Sequence, residues 1–198
     1  MFDWITGLIS QTGLIGIFLL MLGENVFPPI PSEVIMPLGG FLVEQGEMTM
    51  FGAVVAGSLG SLLGTTLWYW AAVRLGADRI RRLIVKHGRW LTLSETDYDR
   101  ALGWFDRHGD MAILIGRMIP GVRTLISVPA GLAGMPLARF LFLSLIGSVL
   151  WVCLLTGAGY ALGSQFELVS EWLNPVTNIL LGGLLVLYVY RLFKKKGA

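Results

Sequence analysis

The chain contains few charged residues, a single cysteine and none of several common catalytic motifs. Of its 198 residues, 14% are charged and 55% are hydrophobic, which excludes an ordinary water-soluble domain of this length. The lone Cys153 excludes an intramolecular disulfide and a cysteine-rich metal site. The absence of H-E-x-x-H, G-x-S-x-G and Walker motifs leaves metalloprotease, hydrolase and ATPase activities without support. We therefore predict an integral membrane protein that is not an enzyme, with no catalytic residue, cofactor or metal site and no nucleic-acid partner.

Basic residues are missing from the first third of the chain, where only acidic residues carry charge. No lysine or arginine precedes Arg74, whereas Glu44 and Glu47 do. Basic residues then form two clusters, which are Arg74, Arg79, Arg81, Arg82, Lys86 and Arg89, and Arg191, Lys194, Lys195 and Lys196. Because positive charge is retained on the cytoplasmic side of a membrane, we expect both clusters and the C-terminus in the cytoplasm.

Three uncharged runs are long enough to cross a bilayer whose hydrocarbon core is about 30 Å thick. They are 48–73, 140–166 and 172–190. The first contains Gly57, Gly60 and Gly64, a spacing that predicts a small-residue face for close helix packing. We predict that all three runs are full transmembrane helices.

Two further apolar stretches are interrupted by proline and glycine. The first is broken at Pro28, Pro29 and Pro31, and the second at Pro120 and Gly121. The apolar arms on either side are too short to span, so each stretch is predicted to enter the membrane as a helical hairpin and turn back, with these five residues shaping the turns. Alternatively, residues 4–23 form a true span and the N-terminus is cytoplasmic.

An internal repeat relates the two halves of the chain. One constant shift aligns Pro28 with Pro120, Pro37 with Pro129, and Gly39 with Gly131. The charge distribution makes the two hairpins enter from opposite sides, as in inverted-repeat transporters. The predicted fold is an all-α polytopic membrane protein with two facing re-entrant helical hairpins in an inverted repeat and about three full transmembrane helices. It forms one membrane domain over 1–198: repeat one at 12–73, a cytoplasmic connection with an amphipathic helix at 74–110, repeat two at 111–166, and a C-terminal helix at 172–190.

Each broken stretch carries ionisable groups where hydrocarbon is expected. Glu24 and Glu33 lie in the first, and Arg117 and Arg123 in the second. An ionised side chain at the centre of a membrane helix costs about 2.5–3.5 kcal/mol on insertion scales, so such groups pair or meet water and are usually functional. Arginine binds phosphate through two parallel hydrogen bonds, and a carboxyl group removed from water can take up a proton near neutral pH. We predict that Arg117 and Arg123 bind an anionic headgroup and that Glu24 and Glu33 gate the site or couple it to protons.

A purely structural cluster of buried salt bridges is the alternative reading of these four residues. Apolar residues in place of a buried ion pair often give a fold of equal stability. The presence of four ionisable residues therefore favours a functional role over a structural one. The charges also suit a second class of function, a proton-coupled transporter or channel for a small soluble anion.

The motif Glu24-Asn25-x-Phe27-Pro28-Pro29-x-Pro31-Ser32-Glu33, followed by Gly116-Arg117-x-x-Pro120-Gly121-x-Arg123-Thr124, resembles the DedA family, which shares the VTT (SNARE-associated Golgi) domain. The resemblance implies lipid translocation between the leaflets of the bacterial inner membrane, with undecaprenyl phosphate as the leading substrate and a link to the proton-motive force. It also implies an alternative, a scramblase of phosphatidylethanolamine or of phospholipids in general. The expected partners are membrane lipids and protons, and a homo-oligomer is left open.

Overall fold

The computed structural model describes residues 2–26, 32–91, 95–120 and 122–163. Within these ranges every regular element is an α-helix and there is no strand, which confirms the all-α prediction. The helices are α1 (Phe2–Thr12), α2 (Leu14–Val26), α3 (Ser32–Glu44), α4 (Met50–Leu91), α5 (Glu95–Arg117), α6 (Val122–Leu125), α7 (Ser127–Leu132) and α8 (Leu137–Leu162). The predicted third span at 172–190 and the turn residues Pro28, Pro29, Pro31 and Gly121 lie outside the described residues.

Two described helices are long and apolar enough to cross a membrane, namely Met50–Arg82 of α4 and Leu137–Leu162 of α8. They correspond to the first two uncharged runs of the sequence. In α4 the backbone is interrupted at Gly76, whose φ of 73° is accessible to glycine at little steric cost. The interruption follows Arg74, so the apolar part of α4 ends where the basic cluster begins.

The helices around the first proline-rich break are short. α2 and α3 contain 13 residues each, which gives a length of about 20 Å, below the roughly 30 Å of a hydrocarbon core. Gly13, with a φ of 59°, separates α1 from α2. Residues 4–23 therefore do not form one continuous helix.

The helices of the two halves pack in a reciprocal way. In each half, the helix before the proline-containing break is the first arm and the helical segment after it is the second arm. The first arm α2 packs on α4, and the first arm α5 packs on α8, so each packs on the long helix of its own half. The second arms exchange partners, because α3 packs on α8 and α7 packs on α4. Each long helix is thus covered by one arm from each half.

Glycines allow the closest of these approaches. A Cβ placed on Gly64 of α4 would lie 2.6 Å from Asn25 Cβ of α2, and one on Gly60 would collide with the Phe18 carbonyl. A Cβ on Gly57 would lie 2.8 Å from Met36 Sδ. The predicted small-residue face of this helix is confirmed.

The described residues of the connection between the halves, on either side of 92–94, are helical and continue into the second part of α5. Gly109, with a φ of 48°, breaks α5 into an earlier, amphipathic portion and a later, apolar one. Phe105 of the earlier portion is 3% exposed, and Tyr98 donates a hydrogen bond of 3.4 Å to the Ala77 carbonyl of α4. The later portion runs to Arg117 and delivers that residue to the polar interior.

Candidate functional site

The predicted acidic and basic residues meet at a buried ion pair. Glu24 lies in the last turn of α2, and Arg123 lies in α6. They are 6% and 4% exposed, and the Arg123 guanidinium donates a hydrogen bond to Glu24 Oε2. A carboxylate near a helix C-terminus faces the negative end of the helix dipole. The cation on α6 therefore compensates both the carboxylate and the helix end.

Asn25 ties this ion pair to two other helices. Its Nδ2 donates a hydrogen bond of 2.8 Å to the Met21 carbonyl of its own helix and shares its other hydrogen between Glu24 Oε2 at 3.2 Å and Ser61 Oγ of α4 at 3.3 Å. Its Oδ1 accepts a hydrogen bond of 3.3 Å from Thr124 Oγ1. Its backbone carbonyl, which lies beyond the reach of intrahelical donors at the end of α2, accepts a bond of 2.8 Å from Trp68 Nε1. Asn25 therefore fixes the orientation of the Glu24 carboxylate relative to α4 and α6.

Arg117 is buried beside the ion pair with much of its hydrogen-bonding capacity unused. It is 2% exposed, and its Nη2 donates a 2.9 Å hydrogen bond to Ser144 Oγ of α8. Its Cζ lies 5.7 Å from the centre of the Phe140 ring. Neither Nε nor Nη1 has a partner among the described residues. A buried guanidinium normally has its donors satisfied, so Arg117 has donors available for a further partner.

Gly147 of α8 explains how Arg117 fits there. A Cβ on this glycine would lie 2.7 Å from Arg117 Cβ. The absence of a side chain lets the end of α5 lie directly against α8. Ser144, one turn before Gly147, then reaches the guanidinium.

The other sequence-predicted residues are placed differently. Glu33, in the first turn of α3, is partly exposed and forms no hydrogen bond or ion pair within the described part of the chain. It does act electrostatically on Glu24, as Arg117 does. Pro120 is exposed in the turn between α5 and α6, where the Arg123 amide donates a 3.1 Å hydrogen bond to the Ile119 carbonyl.

Five buried polar residues support these charges: Asn25, Ser61, Thr124, Ser144 and Ser148. Sequence reasoning included Asn25 and Thr124 in the quoted motifs without giving them a role, and it missed the three serines. Ser61 and Ser148 lie 3.4 Å apart across α4 and α8. A signal was present, because Ser144 and Ser148 are spaced to share one face of an otherwise apolar helix.

The charges of the buried groups do not balance. Among the residues that the structure describes, two arginines and one glutamate are less than 10% exposed: Arg117, Arg123 and Glu24. If all are ionised, one positive charge is left over. Because an uncompensated buried charge is costly, the arrangement favours an anion beside Arg117. No group of three metal-binding side chains occurs among the residues that the structure describes.

Comparison with known proteins identifies relatives over nearly the whole chain. The model of the VTT domain matches residues 30–161. An alkaline phosphatase-like protein of Lactococcus lactis subsp. cremoris strain MG1363 is 37% identical over 94% of this chain and 89% of its own. Undecaprenyl phosphate transporter A of Staphylococcus aureus strain NCTC 8325 is 32% identical over 94% of this chain and 92% of its own.

A protein of Bacillus subtilis strain 168 with the same transporter name is 32% identical over 85% of this chain and 84% of its own length. No solved structure gives a significant match. The all-helical fold, the two long apolar helices and these relatives agree with one another. The chain belongs to the VTT-domain family, the DedA family of membrane proteins.

Proposed function

We propose that this protein moves a lipid with a phosphate headgroup between the leaflets of the bacterial inner membrane, and that the lipid is undecaprenyl phosphate. One observation carries the proposal: Arg117 is 2% exposed and has two guanidinium nitrogens without a partner in the described part of the chain. Relatives that bear the name of undecaprenyl phosphate transporters support the choice of lipid.

Phosphate suits the unused donors of Arg117. Nε and Nη1 lie on different edges of the planar guanidinium, each beside Nη2, so a phosphate on the edge that Ser144 leaves open can accept two parallel N–H bonds. Arg117 Nη2 is already bonded to Ser144, which holds the side chain in place before a ligand arrives. Such preorganisation lowers the cost of binding.

Arg123 is the second phosphate ligand and is released from Glu24 by a proton. In the resting arrangement Arg123 is bonded to the Glu24 carboxylate. Protonation of Glu24 removes the negative charge that holds Arg123, and the guanidinium then turns to the phosphate. Glu33, which acts electrostatically on Glu24, modulates this step. One proton is thereby taken up as the anionic headgroup binds.

The membrane arrangement that fits this mechanism is an inverted repeat. We propose that α2 with α3, and the apolar end of α5 with α6 and α7, are re-entrant hairpins, and that the C-terminus is cytoplasmic. The 13-residue lengths of α2 and α3 and the reciprocal packing on α4 and α8 support it. The ion pair then lies near the bilayer midplane, where alternating-access transporters bind their substrates.

Transport in proteoliposomes tests the proposal. Translocation of undecaprenyl phosphate is measured for the wild type, Arg117→Ala and Arg123→Ala, with and without an inward proton gradient, at matched protein content. Arg139→Ala is the control, because it removes an arginine that is paired with Asp110 at the surface. We expect both interior substitutions to reduce transport by at least tenfold and the control to leave it unchanged. Unchanged transport by Arg117→Ala would contradict the proposal.

Three alternative functions give different results in the same vesicles. Movement of phosphatidylethanolamine at the same rate, indifferent to the gradient, indicates a scramblase. Uptake of soluble phosphate without lipid movement indicates an anion transporter. Release of inorganic phosphate from the lipid indicates a phosphatase, the activity suggested by the name of the Lactococcus relative.

A further inference from the structure

Two buried serine hydroxyls lack partners in the described part of the chain, Ser58 Oγ and Ser127 Oγ. Two buried threonines of this fold bond to the carbonyl one helical turn earlier, a common arrangement for hydroxyl side chains in apolar helices. Thr65 donates to the Ser61 carbonyl at 2.9 Å and Thr156 to the Val152 carbonyl at 2.7 Å. Ser127 is 0% exposed yet makes no such bond. A buried polar group left in this state calls for an explanation.

Ser127 lies in the helical stretch that carries Arg123 and that packs against the end of α5. It follows Arg123 by four positions in the helical stretch Val122–Leu132, so the two side chains occupy one face of that helix. The residue before it, Ile126, packs on Gly116, which precedes Arg117; a Cβ on Gly116 would lie 3.1 Å from Ile126 Cγ1. Ser127 therefore lies where the helix of Arg123 meets the end of α5 that carries Arg117.

We propose that Ser127 is a specificity-determining residue that donates a hydrogen bond to the phosphate group bound by Arg117. This inference rests on the proposed function and extends it by one ligand. Arg117 Nε, Arg117 Nη1 and Ser127 Oγ are buried donors without a described partner. Nε and Nη1 lie on opposite edges of the guanidinium, so a phosphate bonds to the arginine at one edge and accepts the Ser127 hydroxyl with another of its oxygens. The hydroxyl is kept free of the backbone so that it is available to the headgroup.

Ser58 provides a matched comparison. It is 3% exposed on α4 and likewise has no described partner. Its neighbour Gly57 packs against Met36 of α3 and Val152 of α8, an apolar contact. Ser58→Ala removes the same atom at a similar burial, on a helix that carries neither arginine.

Binding and stability measured together test the inference. Purified wild-type protein, Ser127→Ala, Ser58→Ala and Arg117→Ala are titrated in detergent with farnesyl phosphate and, separately, with inorganic phosphate. Since a hydrogen bond to a charged group is lost, Ser127→Ala should raise the Kd for farnesyl phosphate by roughly 10- to 100-fold. Its Tm without ligand should be unchanged or higher, because an unsatisfied buried hydroxyl has been removed. Ser58→Ala should bind as the wild type does.

The outcomes separate this inference from the proposed function. If Arg117→Ala weakens binding and Ser127→Ala does not, the role of Ser127 is overturned and the proposed function stands. A lower Tm for Ser127→Ala, with an equal loss of binding in Ser58→Ala, would show a structural role and also overturn it. Binding of inorganic phosphate as tight as that of farnesyl phosphate, with the same loss in Ser127→Ala, keeps Ser127 as a phosphate ligand and contradicts a lipid substrate. Failure of the wild type to bind either probe overturns both proposals.

Discussion

Arg123 of α6 donates a hydrogen bond to Glu24 of α2 across 99 positions of the chain, and both side chains are almost completely buried. The pair joins the helix that precedes the first proline-rich break to the helix that follows the second. Its partners Asn25 and Thr124 are the residues next to it on each side, and they are bonded to each other. The two halves are thus joined by a parallel pair of contacts, one ionic and one neutral.

Removing one partner of this ion pair should strongly destabilise the protein. Glu24→Ala and Arg123→Ala should each lower the free energy of unfolding by about 3–5 kcal/mol, because each leaves a buried charge unpaired. The double substitution should cost less than the sum of the two. Unfolding of the purified protein in detergent measures all three. Strict additivity would show that the two side chains do not interact.

The exposed ion pair between Arg139 and Asp110 is the matched control. Their side chains are 60% and 35% exposed, so solvent screens the interaction. Arg139→Ala should change the free energy of unfolding by about 1 kcal/mol or less. A larger loss of stability would mean that burial does not explain why the Glu24–Arg123 pair contributes more than the Arg139–Asp110 pair.

Glu33 should affect transport without affecting stability. It forms no hydrogen bond or ion pair within the described residues, so Glu33→Gln should change the free energy of unfolding by no more than about 0.5 kcal/mol. Under the proposed mechanism the same substitution weakens the response of transport to a proton gradient. Rates in proteoliposomes with and without the gradient measure this. A wild-type response would remove Glu33 from the mechanism.

Ser144 should act on transport by holding Arg117. Ser144→Ala leaves Arg117 Nη2 without its 2.9 Å partner and should cost about 1–3 kcal/mol of stability. We expect the KM for lipid to rise while the maximal rate changes less, since the guanidinium is less well oriented before binding. Ser148→Ala, one turn further along α8, breaks only the long 3.4 Å contact to Ser61 and should change both quantities little. Equal effects of the two substitutions would argue against a specific role for Ser144.

The crossing of α3 and α8 should tolerate alanine at one glycine and not at another. A Cβ on Gly159 would collide with the Pro37 carbonyl, whereas a Cβ on Gly157 would meet nothing within 4 Å. Gly159→Ala should therefore force the helices apart. It should lower the free energy of unfolding by about 1–3 kcal/mol, the usual cost of overpacking. Gly157→Ala should be neutral or stabilising by up to about 1 kcal/mol, because alanine favours a helix. Equal Tm values for the two variants would contradict this crossing geometry.

Much of the helical framework could be predicted from local pattern. The long uncharged runs at 48–73 and 140–166 predicted the apolar part of α4 and helix α8. An apolar segment of that length is stable in lipid only when its backbone groups are hydrogen-bonded within a helix. Glycine spacing predicted the close face of α4. The charged residues of the site were also identifiable, since ionisable groups in apolar surroundings require partners wherever they lie.

The sequence by itself determined that this is an all-helical membrane protein whose broken apolar segments carry acids and arginines that need partners. Only the tertiary structure decided that Glu24 pairs with Arg123, that Ser144 holds Arg117, and that two Arg117 nitrogens and the Ser127 hydroxyl have no partner within the described ranges. Composition and spacing fix which face of a helix is polar, but pairing depends on how the helices cross and rotate against one another. Those crossings are set by contacts between residues far apart in the chain, such as Gly147 against Arg117 and Gly64 against Asn25.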